Sequence, residues 1–133
     1  MITYLLDTNI CIYIAKKHPA SVSEHFSQLI TGTVGMSIIT YGELVFGAEK
    51  SHSPKRVLLL LEQLSELIPV CPLPIHAAKH YGEVRSKLEK QGKPIGANDL
   101  WIAAHALALN VTLVTNNAKE FLRVPHLKVE NWI

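Results

Sequence analysis

Ile2-Thr3-Tyr4-Leu5-Leu6-Asp7-Thr8-Asn9-Ile10-Cys11-Ile12 is the stretch on which the fold turns. Ile2 and the run Tyr4-Leu5-Leu6 lack polar alternation, so they read as a short strand buried on both faces. Asp7-Thr8-Asn9 then supplies helix N-cap chemistry, and Ile10, Cys11, Ile12 and Ile14 carry a helix onward. A doubly buried strand that passes straight into a helix is the building unit of an α/β fold.

The unit recurs along the chain. Ser21 to Ile30 reads as a polar amphipathic helix, Gly32 to Gly35 as a turn region, and Val34 to Ile39 as a β-branched buried strand. A long helix through Leu44, Val45 and Ala48 follows Thr40-Tyr41-Gly42-Glu43. Pro54 to Leu67 is a leucine-rich helix, Val70 to Leu73 a short strand between prolines, and Ile75 to Gln91 a helix ending at Gly92. Asp99 to Leu109 reads as an apolar helix ending at Asn110, Val111 to Thr115 as the clearest strand, and Lys128 to Glu130 as a last short one. Strands alternating with helices predict an α/β protein: one domain over residues 1–133, with a short, mostly parallel central sheet flanked by helices.

Composition narrows the function classes. Hydrophobic residues make up 48% and charged residues 18%, with a mean hydropathy of +0.18. No apolar run approaches the roughly 18 residues of a membrane span, so buried strands and a covered apolar surface are the expected source. The start Met1-Ile2-Thr3-Tyr4 has no basic segment of a secretory signal, and Cys11 and Cys71 share no metal-ligand or disulfide-framework spacing, which points to a reducing cytoplasm. A net charge of +2 neither demands nor excludes a nucleic-acid partner.

Asp7 and Asp99 are the only aspartates, and each stands where a core element gives way to a helix start. Solubility does not explain two carboxylates so placed. Ligands of open α/β sheets bind beyond the carboxyl ends of the strands, where Asp7, Glu43 and Asn116-Asn117 all fall. Each has an ordinary alternative. Asp7 suits an N-cap, Thr40-x-x-Glu43 fits a capping box, Asp99 suits the positive end of a helix, and Asn116-Asn117 suits a turn. Together, at one sheet edge, they form a set of oxygen ligands for a hard divalent cation, and the chemistry such a cation supports at phosphate is phosphodiester hydrolysis.

Four segments carry a resemblance. Leu5-Leu6-Asp7-Thr8-Asn9, Ser37-Ile38-Ile39-Thr40-Tyr41-Gly42-Glu43-Leu44-x-x-Gly47, Asn98-Asp99-x-x-Ile102-Ala103-Ala104-His105-Ala106 and Leu113-Val114-Thr115-Asn116-Asn117-x-x-Glu120-Phe121 resemble the PIN-domain ribonucleases. More narrowly, from Met1 to the Val129-Glu130-Asn131-Trp132 tail, the chain is similar to the VapC toxins of bacterial VapBC toxin–antitoxin pairs. The resemblance implies a PIN fold over 1–133 and a catalytic set of Asp7, Glu43, Asp99 and Asn117, with Asp7, Glu43 and Asp99 binding Mg²⁺ or Mn²⁺. The fourth position, often an aspartate in the family, is Asn117 here. Glu120, one helical turn on, can return a charge, while Thr8, Thr115 and Asn116 are auxiliary candidates. The implied activity is a metal-dependent endoribonuclease acting as a toxin on RNA, with tRNA, including the initiator tRNA, as the expected target. The implied partners are a VapB-type antitoxin, a second copy of the chain in a homodimer and, through the antitoxin, operator DNA, with no membrane.

Lys50, Arg85, Lys87 and Lys119 stand in basic clusters that suit an RNA backbone, against the alternative of solvated helix faces. Leu58 to Leu61, Leu64 and Leu67 exceed the needs of one helix face, which predicts a groove or an interface. Two other functions compete with this one. A haloacid-dehalogenase-type phosphatase needs an acid two residues after the first aspartate, where Asn9 stands. A PIN-like module that binds RNA or protein with weakened catalysis finds its support in Asn117.

Overall fold

A computed structural model describes residues 1–133. Five strands, β1 (Tyr4–Leu6), β2 (Val34–Ser37), β3 (Val70–Cys71), β4 (Thr112–Val114) and β5 (Val129–Glu130), form one sheet in the order β3-β2-β1-β4-β5. Every neighbouring pair is parallel, so the sheet is wholly rather than mostly parallel. Tyr4 stands opposite Val34 on one side and Thr112 on the other, which makes β1 the centre.

Seven helices cover the sheet: α1 (Thr8–Lys16), α2 (Ala20–Ser27), α3 (Ile38–Glu49), α4 (Pro54–Leu67), α5 (Ala77–Lys90), α6 (Ala97–Leu109) and α7 (Ala118–Phe121). The alternation of a strand divides the core in two. Leu6, Met36 and Val114 face one cluster with Ile10, Leu44 and Leu61 of the early helices. Leu5 and Leu113 face the other, with Leu88, Ile102 and Phe121 of the late ones. Leu5 and Leu6 are fully buried, and each contributes about 2 kcal/mol of apolar transfer. No helix is long and apolar enough to cross a membrane.

Several element limits differ from the sequence reading. Ile38 and Ile39 do not extend β2; they open α3, because the Ser37 side chain accepts the Ile39 amide at 3.1 Å and caps the helix there. That overturns the capping box: Thr40 lies inside the first turn, and its buried hydroxyl has no partner. α6 starts at Ala97, two residues before Asp99, and Asn110 ends it in the left-handed conformation at φ 56°. α2 stops at Ser27 rather than Ile30, and β3 at Cys71 rather than Leu73. β2 and β3 approach closely at Gly35, where a Cβ would meet Cys71 Sγ at 2.8 Å and the Pro69 carbonyl at 3.2 Å. Trp132 closes the chain: it is buried, stacks on His25 at 4.3 Å, and meets Tyr4 edge-on at 5.6 Å.

Candidate metal centre

The strand order reverses its direction of growth between β1 and β4, and in such sheets the crevice lies beyond the carboxyl ends of those two strands. A cleft of about 160 Å³ stands there, lined by Asp7, Thr8, Asn9, Glu43, Asp99, Asn117 and Phe121. The chain thus brings together Asp7 from the end of β1, Glu43 from α3, Asp99 from the first turn of α6, and Asn117 from the turn after β4.

Asp7 does two jobs. One carboxylate oxygen, Oδ1, accepts the Ile10 amide at 3.0 Å and caps α1. The helix-cap alternative is therefore real, and it coexists with the cleft. Burial pushes the Asp7 carboxyl above its ordinary range; hydrogen bonds from Thr115 and Ile10 oppose the rise, and the nearby Glu43 charge adds to it. Glu43 is held from both sides. Thr8 Oγ1 donates to its Oε1 at 2.6 Å, and Asn98 Nδ2 donates to its Oε2 at 3.5 Å.

Asp99 is the most perturbed acid. Burial, then the charges of Glu120, Glu43 and Asp7, push its carboxyl from 3.8 to about 6. Glu120, on α7, lies close enough to Asp99 to raise its carboxyl, and it accepts a hydrogen bond from the Asn117 side-chain amide. The neutral Asn117 thus has an acid beside it: Asp7, Glu43 and Asp99 line the cleft, and Glu120 stands next to Asn117 and near Asp99. Thr115 is fully buried; its hydroxyl accepts the Asn117 backbone amide at 2.9 Å. Asn116 turns elsewhere, accepting from Asn9 at 3.4 Å and donating to the Tyr13 hydroxyl at 3.0 Å.

These donors fit a hard divalent cation. They are oxygens only, their charges repel, and no lysine or arginine lines the cleft to offset them. No three acidic, cysteine or histidine side chains are already closed on a common metal-ligand point. The hydrogen bonds Thr8–Glu43 and Asn117–Glu120 hold two of the groups in their present rotamers.

The basic candidates do not line the cleft. Arg85 is bound to Glu89 at 2.8 Å and to the Tyr81 hydroxyl at 2.7 Å. Lys87 lines a separate cavity with His80, Glu83 and His126. Lys50 lies over the Phe46 ring, 4.8 Å from its centre, and Lys119 is exposed on α7 beside the cleft. Charge runs do not reveal such pairings. Sequence reasoning gave no role to Asn98 or Phe121, although each lies next to a residue it did select, Asn98 before Asp99 and Phe121 after Glu120. The leucine-rich α4 does form a groove, of about 540 Å³, in which Val57, Leu60, Leu61 and Leu64 face Ile12 of α1 and Leu44 of α3. Thr8 and Glu43 line its end, so the groove runs into the acidic cleft.

Known proteins match both chain and fold. The model of the PIN domain matches residues 4–127. The chain is 46% identical to Ribonuclease VapC2 of Haemophilus influenzae over all of both chains. It is 44% identical to the tRNA(fMet)-specific endonuclease VapC of Shigella flexneri, over 99% of each. The DNA-bound VapBC structure from Salmonella typhimurium superposes with a TM-score of 0.93 at 39% identity, over all of both chains. With the acids of the cleft seated at the strand ends of that same sheet, the chain belongs to the PIN-domain family, among the VapC ribonucleases.

Proposed function

We propose that this protein is the toxin of a VapBC-type pair, a cytoplasmic endoribonuclease that hydrolyses RNA phosphodiester bonds with Mg²⁺ or Mn²⁺. Asp7, Glu43 and Asp99 would hold the cation, with Glu120 as the fourth acid and Asn117 orienting it. The observation that carries this reading is the cleft beyond the strand ends, where Asp7, Glu43 and Asp99 meet Asn117 with no basic residue in the lining. When bound, the cation supplies charge neutralisation at a phosphate and a more acidic water.

The residues of the chain set the stage for that chemistry. Thr8 and Asn98 fix the Glu43 carboxylate, and Thr115 bonds both Asp7 and the turn that presents Asn117. An RNA backbone is repelled from a cleft lined by three carboxylates with a fourth, Glu120, beside it, so RNA enters only with a cation in place. Glu120 argues against a catalytically weakened binding module, because it returns the charge that Asn117 lacks.

The substrate we infer is tRNA, with the initiator tRNA favoured by the name of the Shigella relative. Unpaired loop bases and backbone shape, rather than a base-reading motif, would select it. The partners we infer are a second copy of the chain and a VapB-type antitoxin that carries the pair to operator DNA; the VapBC complex from Salmonella typhimurium is DNA-bound. An antitoxin segment with apolar side chains fits the α4 groove. A lysine or arginine at its end would meet Glu43, where the groove opens into the cleft.

The test is incubation with total cellular RNA, with and without EDTA, followed by mapping of new 5′ ends. Cleavage within a tRNA loop that EDTA abolishes is expected. Cleavage that persists in EDTA, or none with Mg²⁺ or Mn²⁺ present, overturns the reading.

A further inference from the structure

His105 lies wholly buried on α6, and its Nδ1 shares a 2.8 Å hydrogen bond with Ser37 Oγ, across 68 positions of sequence. Ser37 is the N-cap of α3, and the same oxygen accepts the Ile39 amide at 3.1 Å. The other ring nitrogen, Nε2, has no partner. Burying an imidazole with half its hydrogen-bonding capacity unmet is costly, and an apolar side chain of similar size would suit this core better. Burial holds the ring neutral, lowering its pKa to about 4, so it carries no charge that function could use. What the ring does provide is a tie between two helices, and those helices carry two of the acids: Glu43 stands in the second turn of α3, and Asp99 in the first turn of α6.

We propose that His105 is a positioning residue, which by holding Ser37 sets the first turn of α3, and with it Glu43, against Asp99 on its own helix. The proposal rests on the metal-centre reading above in that the spacing it sets is that of two metal ligands. Glu43 already depends on Thr8 and Asn98 for its rotamer. His105 governs a different quantity, the placement of the backbone from which Glu43 extends. Outer-shell contacts of this kind typically alter metal affinity or activity by about 10–100-fold.

Three variants of the full chain test it. His105→Leu removes the bond, His105→Asn keeps an amide at the Nδ1 position, and His105→Gln moves the amide to the Nε2 position. His105→Leu is expected to fold and to melt no lower than the parent. Its calorimetric Mn²⁺ affinity and its kcat on RNA should each fall about 10-fold at unchanged KM. Amide exchange at Ile39 should accelerate. His105→Asn should restore all three properties, and His105→Gln should not. Should His105→Leu not fold, the Asn and Gln pair decides. Parental Mn²⁺ affinity and Ile39 exchange in His105→Leu, or equal behaviour of the Asn and Gln variants, overturns the proposal. If the parent itself binds no Mn²⁺, the functional reading fails instead, and Ile39 exchange still decides whether His105 holds α3.

Discussion

Thr8 donates a 2.6 Å hydrogen bond to the Glu43 carboxylate, so the first residue of α1 holds an acid carried by α3. Bonds to a charged acceptor are worth about 1.5–3 kcal/mol, enough to select one rotamer. Thr8→Val keeps the branched shape and loses the donor. Its cleavage rate at saturating RNA should fall about 10-fold, and Thr8→Ser should recover most of it. An unchanged rate in Thr8→Val would show that Glu43 is oriented without this bond.

Asp7 caps α1 and is a proposed metal ligand, and two substitutions separate the roles. Asp7→Asn retains an oxygen for the Ile10 amide, whereas Asp7→Ala leaves that donor bare. Both should lose at least about 100-fold in cleavage, since neither keeps the charge. Only Asp7→Ala should also lose the cap, making it about 1 kcal/mol less stable than Asp7→Asn in denaturant titration. Cleavage by either variant at the parental rate removes Asp7 from the centre.

Asp99 predicts opposite pH dependences for metal binding and for stability. Its carboxyl is raised from 3.8 to about 6, so the folded protein holds this proton more tightly than the unfolded chain does. Without metal, this group's contribution to stability therefore grows as pH falls through about 6 and is complete below 3.8. Metal affinity runs the other way, weakening below about 6 as the proton competes. Asp99→Asn should remove this part of both dependences and, near pH 7.5 in EDTA, raise stability by about 1 kcal/mol, a few degrees in Tm. Thermal melts of the parent and Asp99→Asn at pH 5 and 7.5 check the sign. A Tm for Asp99→Asn below the parent's at pH 7.5 contradicts it.

Glu120 and Asn117 can be ranked. Glu120 faces Asp99 and binds the Asn117 side chain, so Glu120→Gln removes a charge from the centre, whereas Asn117→Ala removes only its anchor. Mn²⁺ affinity by calorimetry should fall about 10-fold or more in Glu120→Gln and less in Asn117→Ala. The reverse order would make Asn117 the ligand and Glu120 its support.

Gly35 is set by packing alone. A methyl group there meets Cys71 Sγ at 2.8 Å and the Pro69 carbonyl at 3.2 Å, so Gly35→Ala should cost about 1–3 kcal/mol in urea unfolding. Adding Cys71→Ala should return part of the loss, because the sulfur is the nearer obstacle. No additional gain from Cys71→Ala would place the strain at the carbonyl.

The architecture was legible where burial and chain direction coincide. Leu5-Leu6 and Leu113-Val114 are apolar on both faces because helices cover both sides of the sheet, and that needs no polar alternation. Ile38 and Ile39 misled for a physical reason: their β-branched side chains favour a strand, but one hydroxyl, that of Ser37, starts a helix beneath them. Local pattern does not weigh a single cap against two side chains. The acids Asp7, Glu43 and Asp99 were legible because chain direction delivers them to one edge. The roles of Asn98, Arg85 and Lys87 were not, since each is decided by a neighbour from another turn or helix. Glu120 was visible one turn beyond Asn117, but its contact with Asp99 depends on how α7 meets α6.

The central place of β1 has a consequence for synthesis. Val34, the partner of Tyr4 on one side, is made early, but the partner of Tyr4 on the other side, Thr112, leaves the ribosome only when most of the chain has been made. A nascent chain that has emerged as far as α5 owns Asp7 and Glu43 and lacks Asp99, Glu120 and the β4 edge against which β1 is fixed. Long-range parallel pairing of this kind closes late. The acidic cleft is thus completed at the end of translation, and an unfinished polypeptide carries no assembled centre into the cell that makes it.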